Sequence, residues 1–187
     1  LEVISPSDLV DRSRSPEVLA VTQYSHYIGP LEILNGKPSF LIAQEIRGID
    51  YAFLGTVVAR VNARDMQNVV QTVSAGGEEG RAYIVNEEGT AIAHPDISQV
   101  LSQNNLSRFP AVAAVIQKDT EAILSDAYEN ELGELVLGAG VPVLISFWDE
   151  RIQLSPDWFV IMEQPASFAL QIVSEITRFF IILFGIL

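Results

Sequence analysis

The sequence predicts an α+β protein of two modules in series, each an antiparallel sheet with helices, the first incomplete, followed by an exit helix and the start of a transmembrane helix. Three observations carry this reading. Segments rich in β-branched and aromatic residues recur between Gly, Asn, Asp and Pro, the pattern of antiparallel strands and turns. Between them lie stretches whose apolar residues fall at helical spacing. The chain closes on FFIILFGIL, Phe179 to Leu187, without a polar side chain.

In order, the first strand pair is Ser39 to Arg47 and Ala52 to Val61, joined through Gly48, Ile49 and Asp50, with Lys37 and Pro38 at its entrance. After Asn62, Met66, Val69, Val70 and Val73 place an apolar stripe on a short helix that Gly76 and Gly77 end. Arg81 to Asn86 and Thr90 to His94 form a tight hairpin turning at Glu87, Glu88 and Gly89, where glycine supplies the positive φ. Ile97 to Lys118 reads as helical, with Val112, Val115 and Ile116 as its stripe. Strands are expected around Ala122 to Asn130, Glu134 to Ile145 and Trp158 to Glu163, with a turn at Gly133 and an interruption at Ser155, Pro156 and Asp157. Pro165 opens a last helix, Ala166 to Thr177. Residues 1–75 are thus the first module, 76–165 the second, and 166–187 the exit helix and the beginning of a span. A bilayer crossing needs about 20 apolar residues. Phe179 to Leu187 therefore reads as the first half of a membrane helix with Arg178 snorkelling at its edge, against a second reading as a buried core helix.

Composition narrows the function classes. A net charge of -13 repels phosphate backbones, so no nucleic-acid partner is expected. Without cysteine there is no disulfide, thiolate metal site or cysteine nucleophile, and two histidines exclude a histidine-rich metal cage. No nucleophile elbow, P-loop or HExxH motif occurs, and the turn glutamates Glu78, Glu79, Glu87 and Glu88 lack the burial that separates catalytic carboxylate pKa values. No enzymatic activity, cofactor or metal is expected. His94, before Pro95 and Asp96, is read as structural, and Tyr83 and Trp158 as core or pocket wall.

GRAYIVNEEGTAIAHPD, Gly80 to Asp96, resembles the first hairpin of the membrane-proximal module of extracellular double Cache domains. ELGELVLGAGVPV (Glu131 to Val143) is similar to that family's central hairpin, and DWFVIMEQP (Asp157 to Pro165) to its final strand. Upstream, GKPSFLIAQEI and GTVVARVNARDM resemble the last strands of the membrane-distal module. The resemblance implies two PAS-like modules, the distal one N-terminally truncated. It further implies a ligand sensor in the periplasm or outside the cell, anchored in the cell membrane and homodimeric. Its output would be a histidine kinase, chemoreceptor or nucleotide cyclase; the rival is a soluble periplasmic binding or scaffolding protein.

Candidate ligand-binding residues are Tyr24, His26, Tyr27, Arg47, Asp50 and Arg60. Where amino-acid-binding members of the family carry an ammonium-binding acid, a few positions after the glycine matching Gly55, this sequence has Arg60. A guanidinium suits a carboxylate, so the expected ligand is a small organic molecule bearing one. A solvent-facing strand arginine is the plainer reading of the same residue.

Overall fold

The computed structural model describes residues 11–75, 80–118, 123–143, 145–146, 153–154 and 157–168. The chain forms two compact units, Leu1–Asn62 and Ala63–Leu187.

The first unit opens with α1 (Pro16–Tyr24), whose leading proline lacks an N–H where a helix needs none. Ser25, at φ 68, ends the helix with its N–H on the Val21 carbonyl. Four strands follow: β1 (His26–Ile28), β2 (Glu32–Leu34), β3 (Lys37–Arg47) and β4 (Phe53–Asn62). Asn35 and Gly36, at φ 51 and 72, make the two-residue turn between β2 and β3, the backbone twist such hairpins require. β3 is the spine, pairing β1 and β2 along one side and β4 along the other, from Ser39 opposite Asn62 to Arg47 opposite Phe53. Val21 of α1 is buried with Leu31, Phe40 and Ala43.

The second unit begins with α2 (Arg64–Ser74) and continues through β5 (Arg81–Asn86), β6 (Ala91–Ala93), α3 (Ile97–Leu101) and α4 (Pro110–Lys118). Then come β7 (Ile123–Leu124), β8 (Tyr128–Glu129), β9 (Leu135–Pro142), a short ribbon of β10 (Ile145–Ser146) with β11 (Gln153–Leu154), and β12 (Trp158–Pro165). The main sheet is antiparallel with order β6-β5-β12-β9-β7, and β8 extends the pairing of β9. The last strand thus lies between the first and the longest hairpin arm, which closes the sheet around its C-terminal strand. Val112, Val115 and Ile161 are fully buried, each contributing about 1.5–3 kcal/mol by leaving water. α4 lies close on β9 because Gly138 and Gly140 have no Cβ: one on Gly138 would stand 2.5 Å from Ala111 Cβ, one on Gly140 2.8 Å from Val115 Cβ.

Several expectations shift for identifiable reasons. The helix after Asn62, placed by sequence in the first module, packs on β5 and β6 and falls in the second unit. It turns a different face inward: Gln67 and Val70 are buried while Val69 and Val73 are exposed. Gln67 is drawn in because its carboxamide pairs with both main-chain groups of His94, accepting from the N–H at 3.1 Å and donating to the carbonyl. The helical stretch Ile97 to Lys118 is two helices. The loop between them is tied to the β5–β6 turn, Ala91 N–H donating to Asn104 O and Leu106 N–H to Gly89 O, with Leu106 buried. Ala166 to Phe168 are helical; the rest of the expected exit helix and Phe179 to Leu187 lie outside the described residues. Among the described residues no helix is long and apolar enough to cross a membrane.

Candidate ligand-binding site

Between α1 and the β1–β3 side of the first unit lies a cleft of about 290 Å³. Pro16, Pro30, Tyr27 and Leu41 wall it, and Glu17 and Glu32 give it two carboxylates. Glu17 is there because a proline-started helix fixes its first turn over β1; only 6% of it is exposed, and Arg12 approaches its carboxylate at 3.7 Å. A hydrogen bond from its own backbone N–H outweighs burial and holds the Glu17 carboxyl below the usual range. Tyr27 folds over Gly29, whose absent Cβ would meet the ring at 3.1 Å. Burial pushes the Tyr27 hydroxyl up, and the charges of Glu17 and Glu32 add to the effect.

The six residues named from sequence separate into three groups. Tyr27 lines the cleft. Arg60 reaches it indirectly: Nη1 donates to Glu32 Oε2 at 2.7 Å and approaches Ser39 Oγ at 3.5 Å, both charged groups being half-exposed. His26 precedes Tyr27 on β1 and is not among the residues lining the cleft; burial lowers its imidazole pKa. Tyr24 ends α1 in solvent. Arg47 and Asp50 organise the β3–β4 turn, Arg47 bonding Glu45 at 2.8 Å and the Tyr51 carbonyl at 3.0 Å, Asp50 Oδ1 accepting from Ala52 N–H at 3.2 Å. Glu17 and Glu32 were not singled out by sequence. Each stands at or near a proline, Pro16 or Pro30, but nothing in the sequence marks either carboxylate as facing a cleft.

The second unit holds a buried polar network of its own. Tyr83 and Tyr128 hydroxyls both donate to Glu163 Oε1 at 2.8 Å, and Glu163 is 3% exposed. Desolvation, then the Glu163 charge, pushes both tyrosines well above the ordinary phenol range. Beside them Arg81 Nη2 donates to Glu131 Oε1 at 2.6 Å, and His94 Nε2 stands 3.2 Å from the same oxygen. Burial opposes the Glu131 charge, but the hydrogen bonds and charges of His94 and Arg81 together hold its carboxyl below the usual range. Among the described residues no group of three His, Cys, Asp or Glu is arranged to hold a metal ion.

A fold of two antiparallel α+β units in series is shared with the extracellular ligand-binding domains of chemoreceptors and histidine kinases. The chain is similar to a structure described as methyl-accepting chemotaxis protein X, with TM-score 0.58, 15% identity, and coverage of 84% of this chain and 57% of that one. It is similar to the extracellular domain of mmHK1S-Z3, named as a histidine kinase, with TM-score 0.61, 15% identity, and coverage of 84% and 55%. A third is the ligand-binding domain of the Pseudomonas fluorescens chemoreceptor CtaA in complex with L-isoleucine, with TM-score 0.56, 16% identity, and coverage of 88% and 63%. The chain thus spans a little over half the length of these domains. No family model matches the sequence, and no curated protein matches it.

Proposed function

We propose that this chain is the extracytoplasmic ligand-sensing region of a transmembrane signalling receptor, and that the cleft in its first unit binds a small zwitterion of the amino-acid type. The observation carrying this reading is a cleft lined by two carboxylates, the buried Glu17 and the half-exposed Glu32, the second of which is paired with Arg60 from outside the lining. An ammonium group satisfies Glu17, and a ligand carboxylate takes the place of Glu32 on the Arg60 guanidinium, which suits it geometrically. A cleft of about 290 Å³ is of amino-acid size. The ligands named for similar domains, L-isoleucine, L-glutamine and asparagine, carry both groups. Sensing then works by population shift: ligand favours one of two arrangements, and the helix beginning at Ala166 carries the bias to a membrane-embedded segment and an output module in a homodimer. In this reading the chain binds without turnover and lies in the periplasm or outside the cell.

The test is calorimetric titration and thermal unfolding with an amino-acid panel, the matching amines and the matching deaminated acids. Amino acids should stabilise the wild type more than either partial analogue. Glu17→Gln should abolish the amine-dependent part, and Arg60→Ala should weaken amino acids about tenfold, the value of one charge-assisted hydrogen bond. A panel in which neither variant changes any response would remove the cleft from the site.

A further inference from the structure

In the second unit, independently of that cleft, a partly buried guanidinium and a buried imidazole converge on a carboxylate that the chain itself supplies. Arg81 at the start of β5 and His94 just beyond β6 both meet Glu131 Oε1, at 2.6 and 3.2 Å, with side chains 16% and 1% exposed. Glu131 belongs to the turn joining β8 to β9. That turn is complete without its side chain. Asn130 Oδ1 accepts from Leu132 N–H and Glu134 N–H at 2.9 and 3.0 Å, its N–H donates to Glu134 O, and Gly133 N–H donates to its carbonyl. The receiving side, by contrast, is not saturated among the described residues: Arg81 Nη1 is buried and has no hydrogen-bond partner among them, although a guanidinium is shaped to grip both oxygens of a carboxylate. The imidazole is also held in place: Asp96 N–H meets Nδ1 at 3.1 Å, Gln67 holds the His94 main chain, and the Tyr83 ring lies 5.3 Å away.

We propose that Arg81 and His94 form a second ligand site, for a small monocarboxylate of formate to propionate size, which Glu131 occupies as an intramolecular substitute. An incoming carboxylate engages both guanidinium nitrogens and His94 Nε2 while Glu131 turns out to solvent. One carboxylate replaces another, so Arg81 never remains buried without a counter-ion, the step that would make exchange prohibitively costly. The closeness of the Tyr83 ring and the near-complete burial of His94 restrict the ligand to a short chain.

The test is titration of the whole chain with sodium acetate against sodium chloride at equal ionic strength, followed by calorimetry and thermal unfolding. In Glu131→Ala the acetate response should be saturable and at least about tenfold tighter than in the wild type, because a tethered competitor acting at millimolar effective concentration has been removed. Adding Arg81→Met to Glu131→Ala removes both partners together, which leaves neither charge of the pair unpaired, and should erase the response. The proposal is overturned by equal acetate affinity in Glu131→Ala and wild type, by no response beyond chloride in Glu131→Ala, or by a response that survives Arg81→Met. Should Glu131→Ala fail to fold, Glu131→Gln keeps an acceptor for Arg81 Nη2, and the same titration on it decides the question by the same outcomes.

Discussion

β12 in the second unit is paired on both sides, by β5 and β9, and its Phe159 and Ile161 are 1% and 0% exposed. β4, the last strand of the first unit, is paired among the described residues with β3 alone, and its Phe53, Leu54 and Val57 are 48%, 67% and 51% exposed. The two strands have similar compositions: β-branched and aromatic residues with one charged side chain each, Arg60 in β4 and Glu163 in β12. Context makes them different. A strand with neighbours on both sides and a helix over its sheet buries its apolar residues and can hold a carboxylate between two phenols. A strand with one neighbour leaves its charge to a half-exposed partner across the sheet.

The largest break in this comparison should come from core truncation. Phe159→Ala is expected to cost about 3–5 kcal/mol, the usual cost of emptying a large aromatic site, and Phe40→Ala in the smaller first unit less. Denaturant unfolding followed at Trp158, the tryptophan on β12, reports the second unit; a larger loss for Phe40→Ala by that probe would mean the units do not differ as argued. Native-state hydrogen exchange should also find β4 amides opening before those of β12.

The pH dependence is next in size and belongs to the second unit. Glu131 has a folded pKa lowered from the ordinary 4.5, so its stabilisation is complete above that value and is lost as pH falls through the lower folded one. Tyr83 and Tyr128 have folded pKa values raised above the ordinary 10.0. Their contribution is complete below pH 10 and is lost as pH rises beyond it. Ultraviolet titration should therefore find two of the five tyrosines ionising only as the protein unfolds. Ready ionisation of all five in the folded protein would contradict the Glu163 network. The smallest effect expected is Arg60→Ala on stability. Its pair with Glu32 is half-exposed on both sides, and such pairs contribute at most about 1 kcal/mol, so thermal unfolding without ligand should barely move.

The same contrast governs what the sequence revealed. The hairpins β3–β4 and β5–β6 and the buried Val112 and Val115 follow from period and turn chemistry, both local properties. Asn35-Gly36 was an equally local turn signal, and it locates the β2–β3 hairpin that the strand pattern alone did not. Gln67 was not legible, because a glutamine among valines reads as the polar side of a helix until the main chain of His94 is placed beside it. The cleft was half legible. Tyr27 and Arg60 stand out by type, whereas Glu17 and Glu32 acquire meaning only when α1 lies across β1 and β3. Charged residues are common on surfaces, and no one-dimensional pattern says which of them faces inward.

The carboxamide of Gln67 has a consequence for solubility. A strand at the margin of a sheet is a template on which another chain can add, the first event in many fibrous aggregates. β6 is such a margin, and immediately beyond it His94 turns both of its main-chain groups toward α2, where the glutamine meets them as a single residue of a neighbouring strand would. The side chain thus stands where one residue of an added strand would, and the two main-chain groups of His94 through which such a strand would pair are already taken.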